Sequence, residues 1–538
     1  MVGLEPHFVA EPPASQARGG DRSERAYIAW FTAALLLGFF FLTYRLSDVP
    51  PGLHVDAAVE AFNVQDVLQG HLAVFFPINF GHGAAYVYFE AAIVALAGTS
   101  RFAYAFTGDA MTLIGLAASI RTLRTLFGWR AAALAGAFMA VSLWVFFIGR
   151  IGVWQSTMLL GSAAPVYFLW RVYRLGRRRD ALLGGLALGL SLYGYYSIRF
   201  LPLFVLAVFA VDWSATRSRR RLLAAYVGVS LLAFLPEGLY FTLNPRVVLT
   251  RPEQVTIFSP DLAATLGRIG QGAARTVGMF FVRGDYRPWQ AVPFRPVFDP
   301  LLAAFFCLGL LVALLRWREP RMRWLLLWLA VMLLPTALTA DPPSYFRALG
   351  AAPPTFALPA LGLMWLFQPS PAAAGEGRVR ILASHLLAPV MVLLVLAEAV
   401  ASFVIYFRQF GPSPAMAVAF DAHETPMAQF AAAHAGASIY FSDIRTLAGQ
   451  PVRAQVPRTQ RDGWYPQDTA AIPIPSSPAS DVYYVGSPRS AIGTLAPAWL
   501  PGVQTLAATT AGDPSGMWAF RWPAAGQRKA HMPLGSPA

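Results

Sequence analysis

The sequence predicts an all-α polytopic membrane protein of about eleven transmembrane helices, with membrane-surface helices in the first outer loop and a small C-terminal α/β domain outside the membrane. Hydrophobic residues make up 56% of the 538 residues and charged residues 13%, which is too apolar for a soluble protein. Apolar runs alternate with short arginine clusters, and such clusters identify cytoplasmic loops. The tail is richer in proline, serine and alanine and contains strand-like pieces.

The chain opens with a basic segment, residues 1–25, in which Arg18, Arg22 and Arg25 precede the first apolar run. No small-x-small cleavage site follows that run, so we expect a cytoplasmic N-terminal tail and an uncleaved anchor. The formal net charge is +14, but the arginines are dispersed between apolar runs and no nucleic-acid-binding signature is present. We therefore expect a membrane protein without a nucleic-acid partner.

The arginine clusters set the predicted topology, because positive charge in short loops faces the cytoplasm. We place on the inside the clusters at Arg121–Arg130, Arg171–Arg179, Arg217–Arg221, Arg316–Arg323 and Arg378–Arg380. The apolar runs between them form pairs that cross outward and return. The transmembrane domain is then residues 26–407, with a first outer loop at 45–101 and a large outer loop at 241–299.

One apolar run does not fit this count. Ala84–Gly98 and Phe102–Ser119 both precede the first inner cluster, where the topology allows one crossing. Ala84–Gly98 is shorter and carries Glu90, so we assign it to a membrane-associated part of the first outer loop. The last span, Ile381–Phe407, then places residues 408–538 outside the membrane.

The extracytoplasmic tail contains short runs rich in β-branched and aromatic residues, which are typical of strands. They are Ile439–Phe441, Val482–Val485 and Trp518–Trp522. We expect a small α/β domain with long loops.

The first outer loop is polar where little else in the chain is. Within it, Val55, Val59 and Phe62 recur at helical spacing, which predicts an amphipathic helix on the membrane surface. Asp56 and Glu60 lie one turn apart and so share a face at headgroup level. Asp56 is a candidate general base, and the alternative role of helix N-cap is compatible with it. Glu60 is either a second carboxylate for substrate hydroxyls or part of a solvated face.

Arg150, Arg199 and Arg347 break the sidedness rule, because each falls in a short turn predicted to lie outside. A guanidinium presents a fork of donors that matches phosphate oxygens. The alternative is that each arginine snorkels to ordinary anionic headgroups. Together, in turns that also carry aromatic residues, the three indicate a shared anion site.

Further polar residues are candidates for substrate contacts. Asp109 and Glu237 are ionisable at membrane depth, so they face protein or a cavity, where they hold an arginine, bind a sugar hydroxyl or form a satisfied ion pair. His54 and His82 flank the polar part of the first loop, but their spacing matches no metal motif. We expect no metal ligand set and no cofactor.

Missing motifs narrow the class of reaction. Lys529 is the sole lysine and Cys307 the sole cysteine, which excludes a Walker A loop, an intrachain disulfide and a cysteine metal cluster. The sequence has no glycine-rich nucleotide fingerprint, no G-x-S-x-G and no D-x-D pair. These absences argue against a nucleotide-linked donor.

Five stretches carry a resemblance to a known family: PPGLHVDAA and VLQGHLAVFFPINFG in the first outer loop, then FIGRIGVWQSTMLL, YGYYSIRFLPL and DPPSYFRALGAAPP. In this order they resemble the GT-C superfamily of membrane glycosyltransferases, specifically the bacterial family related to protein O-mannosyltransferases and aminoarabinose transferases. The likeness covers roughly residues 26–407. It implies that Asp56 is the catalytic base and that Arg150, Arg199 and Arg347 bind the donor phosphate. Relatives commonly have Glu after this Asp, whereas this chain has Ala57.

The resemblance implies an enzyme of the bacterial inner membrane that takes part in cell-envelope or protein glycosylation. Its donor is a polyprenyl-phosphate-linked hexose or pentose, and its acceptor is a hydroxyl on lipid, glycan or protein at the outer face. Inverting transfer needs no metal if fixed cations stabilise the departing phosphate. Two alternatives remain from the sequence: a transporter or flippase of a lipid-linked sugar, and a catalytically silent relative that lacks the second carboxylate.

Overall fold

The computed structural model describes residues 17–78, 81–213, 217–247, 257, 261–367, 377–442, 450–455, 462–465, 472, 474, 480–510 and 512–530. The first half is built from α1 Ala17–Thr43, α2 Val55–Leu68, α3 Ala84–Ala97, α4 Arg101–Phe127, α5 Trp129–Val141, α6 Leu143–Ile151, α7 Thr157–Leu175, α8 Arg178–Ser191, α9 Leu201–Val211 and α10 Arg220–Leu243. The second half contains α11 Leu262–Gly278, α12 Pro300–Leu315, α13 Pro320–Ala337, α14 Tyr345–Ala348, α15 Ala352–Leu366 and α16 Gly377–Phe403.

The apolar runs predicted to pair between the arginine clusters coincide with these helices. Five helical stretches in the described part of the chain are long and apolar enough to cross a membrane: Glu24–Thr43, Arg101–Phe127, Arg220–Leu243, Tyr345–Leu366 and Leu386–Phe410. A sixth span results if α5 and α6, bent by 54° at Ser142, are counted together. Shorter apolar helices such as α3 and α12 add to the bundle. The chain is therefore a multi-pass membrane protein, and a total of eleven spans stays a prediction.

The first outer loop connects α1 to α4. After α2 comes a two-stranded antiparallel hairpin, β1 Phe75–Phe76 with β2 His82–Gly83, and β2 leads directly into α3. A Cβ on Gly83 would lie 2.0 Å from the carbonyl oxygen of Tyr193. Only glycine fits there, and this close approach fixes the hairpin against the bundle.

The tail folds around a five-stranded sheet. Its strands are β3 Ser438–Ser442, β4 Asp462–Tyr465, β5 Val482–Gly486, β6 Gln504–Ala507 and β7 Trp518–Trp522, in the order β4-β3-β5-β7-β6. β4 and β5 run parallel to β3, whereas β7 pairs antiparallel with both β5 and β6. The three predicted strand pieces thus correspond to β3, β5 and β7. The tail also contains α17 Pro414–Ala419, α18 Glu424–Ala433, α19 Gln450–Gln455, α20 Ile492–Trp499 and α21 Ala524–Ala530.

The tail packs on the first outer loop. Gln65 on α2 donates its side-chain amide to the carbonyl of Ala454 on α19, at 3.1 Å. The Thr425 hydroxyl on α18 donates to the carbonyl of Pro51 at 3.0 Å. These contacts place the tail against the loop that carries Asp56.

Candidate functional site

Asp56 lies in the first turn of α2, with 31% of its side chain exposed. The helix begins at His54, whose Nδ1 accepts a hydrogen bond from the Asp56 backbone N–H at 3.2 Å. The expectation that Asp56 itself caps the helix is therefore wrong, because the buried imidazole of His54 satisfies the free N–H group. This leaves the accessible Asp56 carboxylate 3.8 Å from the same imidazole nitrogen.

His54 must be neutral to accept this hydrogen bond through Nδ1. Burial lowers the pKa of His54, and the nearby Asp56 carboxylate opposes that shift. The imidazole also packs against the Trp289 ring, with ring centroids 6.2 Å apart, and against Phe420 at 5.9 Å. The cap of α2 is thus enclosed by aromatic residues from the large outer loop and from the tail.

Glu60 does not share the exposed face predicted for it. Its side chain is fully buried, and one carboxylate oxygen accepts a hydrogen bond from the Trp154 backbone N–H at 3.2 Å. The same oxygen lies 3.7 Å from Nε2 of His82, which is also buried. Burial raises the pKa of Glu60 well above its ordinary value, and the neighbouring Glu90 carboxylate adds to the shift. Glu60 therefore joins α2 to the segment after α6 and is not placed to touch a substrate hydroxyl.

Arg150 is also buried, contrary to the prediction of an outward turn. It lies in the last turn of α6 with no exposed surface. One terminal nitrogen donates to the carbonyls of Phe41 and Leu42 at 2.8 and 2.5 Å, and the other donates to the carbonyl of Val49. The guanidinium is bound to the last turn of α1 and to the stretch that follows it, so its position does not suit a lipid phosphate.

A second buried arginine holds the same segment. Arg101, at the start of α4, donates to the backbone carbonyls of Ser47 and Pro50. Arg101 and Arg150 together satisfy carbonyls in the stretch that leads into α2. We infer that they fix the approach to Asp56, since unpaired buried carbonyls are costly.

Arg199 is half-buried, with 23% of its side chain exposed, and forms a salt bridge of 3.2 Å with the buried Glu237. Its guanidinium also lies over the rings of Tyr196 and Phe241, 4.7 and 4.9 Å from their centroids. Tyr196 in turn donates its hydroxyl to the carbonyl of Gly81, at 3.0 Å. Glu237 thus has the ion-pair role considered for it, and Arg199 lies beside the hairpin end of the first outer loop.

Arg347 lies on the short helix α14 and is partly exposed. Within the part of the chain that the structure describes, its guanidinium makes no hydrogen bond and no ion pair. Of the three predicted phosphate ligands, it is the one whose donors are most available. An unsatisfied and accessible guanidinium is suited to an anionic ligand.

Two other carboxylates lie inside the bundle. Asp109 on α4 and Glu90 on α3 are buried, and none of their oxygens has a hydrogen-bond partner among the described residues. The ion-pair interpretation of Asp109 is therefore not supported by a contact. No group of three or more His, Cys, Asp or Glu side chains suited to a metal occurs in the described ranges.

The large outer loop contributes residues that the sequence analysis did not single out. Trp289 covers His54, and the next residue, Gln290, accepts a hydrogen bond from the Ser344 hydroxyl at 2.8 Å. Nearby, the Asp285 carboxylate accepts from the Tyr345 backbone N–H at 2.9 Å. This loop therefore connects the cap of α2 with the segment that carries Arg347. The sequence feature that could have identified these residues is the mixture of charged and aromatic side chains in GDYRPWQ, residues 284–290.

Comparison with known proteins supports the fold. Residues 82–240 match the family model of dolichyl-phosphate-mannose-protein mannosyltransferases. No curated protein sequence matches the chain significantly. The structure is similar to ArnT from Cupriavidus metallidurans bound to undecaprenyl phosphate, with a TM-score of 0.56 and 15% identity over 93% of this chain and 98% of that one.

The apo form of the same ArnT gives a TM-score of 0.54 and 16% identity, covering 94% of this chain and 99% of that chain. An oligosaccharyltransferase from Archaeoglobus fulgidus, tethered to an acceptor peptide, gives 0.47 and 12% identity over 92% and 74% of the two chains. The family-model match and the ArnT similarity confirm the predicted resemblance to GT-C membrane glycosyltransferases.

Proposed function

We propose that this chain, which has the fold of the GT-C membrane glycosyltransferases, transfers a sugar from a polyprenyl-phosphate donor to an acceptor hydroxyl at the outer face of the membrane. The observation that carries the proposal is the position of Asp56. Its carboxylate is accessible, whereas the carboxylates of Glu60, Glu90 and Asp109 are buried. A general base must be reachable by the hydroxyl that it deprotonates.

In the proposed reaction the acceptor oxygen attacks the anomeric carbon from the face opposite the leaving group. The bond between the anomeric carbon and the phosphate oxygen breaks, so the configuration inverts and polyprenyl phosphate leaves. The acceptor proton passes to the Asp56 carboxylate. The leaving phosphate retains the electron pair of the broken bond, so the transfer involves no oxidation or reduction.

Arg347 and Arg199 are the proposed phosphate ligands. Arg347 supports this role through its uncommitted guanidinium, and Arg199 through its partial exposure beside the hairpin. Fixed cations aimed at a developing negative charge stabilise the transition state without rearranging. Arg150, predicted to take part, is assigned instead to bracing the first outer loop, because both of its terminal nitrogens bind backbone carbonyls.

Transfer is tested with the purified full chain in detergent micelles, supplied in turn with polyprenyl-phosphate-linked pentoses and hexoses. Wild-type protein is expected to release free polyprenyl phosphate from at least one donor, faster in the presence of acceptor lipid, glycan or peptide. Transport of the intact donor across a liposome membrane, without cleavage of any donor in the set, would contradict transfer and favour a flippase.

A further inference from the structure

The segment before α14, residues 341–344, has no regular secondary structure and is hydrogen-bonded to the large outer loop. Asp285 in that loop is fully buried. One of its carboxylate oxygens accepts from the backbone N–H of Tyr345 at 2.9 Å. The other oxygen accepts from the backbone and the side chain of Arg287, at 3.0 and 2.9 Å. Asp285 thus joins the loop to the first residue of α14.

Arg287 extends the same connection. Its side chain is 9% exposed, and one terminal nitrogen donates to the carbonyl of Pro343 at 3.1 Å. The other terminal nitrogen donates to the carbonyl and the carboxylate of Asp341, at 2.8 and 2.7 Å. Both terminal nitrogens are therefore taken up by residues 341–345, and Arg287 is not itself available to a phosphate.

Other contacts complete the support. The backbone N–H of Ser344 donates to the Thr336 hydroxyl on α13 at 2.7 Å, and the Ser344 hydroxyl donates to Gln290. In addition, the indole N–H of Trp144 on α6 donates to the carbonyl of Tyr345 at 3.0 Å. The backbone of Ser344 and Tyr345 is thus held by hydrogen bonds to three separate elements: the large outer loop, α6 and α13.

We propose that Arg287 is a positioning residue for the donor: with Asp285 and Asp341, it fixes the backbone from which Arg347 projects toward the phosphate. The inference rests on the proposed function, because it needs Arg347 to bind the anion. Arg347 has no side-chain partner of its own among the described residues. The direction of the Arg347 side chain therefore depends on its backbone. A guanidinium held in the binding orientation binds phosphate more tightly than a mobile one.

The test is a double-mutant cycle on the affinity for undecaprenyl phosphate, measured with the purified full chain in detergent micelles. The variants are Arg287→Gln, Arg347→Gln and the double variant. Residues that act through one another give non-additive changes, whereas independent residues give additive ones. We expect Arg347→Gln to weaken binding about tenfold and Arg287→Gln about fivefold in the wild-type background, but less than about twofold when Arg347 is already Gln.

The control is Arg283→Gln in the same loop. Arg283 is exposed and lies over the Phe294 ring, 4.3 Å from its centroid. Its replacement removes the same charge without touching residues 341–345, so it is expected to leave the affinity within about twofold of wild type. Equal weakening by Arg283→Gln and Arg287→Gln would show a general charge effect and would overturn the inference.

The outcomes separate the two proposals. If Arg287→Gln weakens binding equally with and without Arg347, the positioning role is wrong and the phosphate role of Arg347 stands. If Arg347→Gln alone leaves the affinity unchanged, the phosphate role fails and the positioning role fails with it. If Arg287→Gln does not fold, Asp341→Asn replaces it, because half of the Asp341 side chain is exposed and its backbone carbonyl remains available to Arg287.

Discussion

The imidazole of His54 and the indole of Trp289 lie nearly parallel, at an interplanar angle of 21° and a centroid separation of 6.2 Å. His54 caps the helix that carries Asp56, and Trp289 belongs to the loop that anchors the segment before Arg347. Through this contact, the proposed base and the proposed phosphate ligand are supported by one continuous set of packed residues.

Removing the indole is the first test of that support. Trp289→Ala is expected to cost about 1 kcal/mol of packing at the His54 ring, and to lower turnover with a polyprenyl-phosphate sugar by about fivefold to tenfold. Trp289→Phe keeps an aromatic ring and is expected to retain most of the activity. Equal turnover in the alanine variant and in wild type would show that the contact does not matter for transfer.

His54 is expected to act through its neutral form. Its folded-state pKa is lowered by burial, so the unfolded chain binds the proton more readily and stability declines as the pH falls below about 6.5. His54→Asn supplies another good N-cap without titrating in this range, whereas His54→Ala removes the cap at a cost of about 1 kcal/mol.

The measurement is the apparent unfolding midpoint of the three proteins in detergent between pH 5 and 7.5. The Asn variant is expected to lose less stability than wild type on acidification, and the Ala variant to lie below the Asn variant at neutral pH. A wild-type decline that the Asn variant reproduces in full would exclude His54 as its source.

Glu60 gives the opposite pH dependence. Its pKa is raised by burial and by Glu90, so the folded state keeps a proton that the unfolded chain releases. Stability is then fully present below about pH 4.5 and is lost as the pH rises toward the raised pKa, by up to about 1.4 kcal/mol per pH unit. Glu60→Gln keeps an acceptor for the Trp154 N–H and removes this loss.

Unfolding midpoints from pH 5 to pH 8 test this difference. The unfolding midpoint of Glu60→Gln is expected to rise steadily relative to that of wild type as the pH increases. Glu60→Leu, which has no acceptor for the Trp154 N–H, is expected to be less stable than Glu60→Gln throughout. Parallel curves for wild type and the Gln variant would mean that Glu60 is ionised in the folded protein.

Gly52 tests the packing of the tail on the first outer loop. A Cβ at this position would lie 1.8 Å from the carbonyl oxygen of Phe420, so Gly52→Ala forces the two segments apart. We expect faster proteolysis within residues 411–530 and reduced turnover. Gly267→Ala on α11 is the matched control, because a Cβ there has no atom within 4 Å and alanine favours a helix by about 1 kcal/mol.

The sequence predicted those parts of the fold that repeat over many residues. The pattern that predicted a helix after Leu53 corresponds to α2, and three short β-rich runs correspond to strands. Periodicity averages over many side chains, so these assignments tolerate local exceptions. The number of spans was harder to predict, because α5 and α6 meet at a bend that hydropathy does not signal.

Individual side chains were predicted less well, because their orientation depends on partners distant in sequence. Arg150 was expected to face outward, but it reaches back to carbonyls about a hundred residues earlier in the chain. Glu60 was expected to contact substrate or to be solvated, but it is buried and accepts a hydrogen bond from the Trp154 backbone N–H. The role of Arg287 depends on residues more than fifty positions later, and no local pattern encodes that pairing.

The central claim is that Asp56 accepts the proton of the acceptor hydroxyl, and its most direct test is the turnover of Asp56→Asn. The amide has nearly the same shape but cannot act as a base, and loss of general-base catalysis typically costs about 10²–10⁴ in rate. The account predicts a fall in kcat within that range for a polyprenyl-phosphate sugar, with the affinity for undecaprenyl phosphate unchanged. Turnover by folded Asp56→Asn protein at the wild-type rate would contradict it.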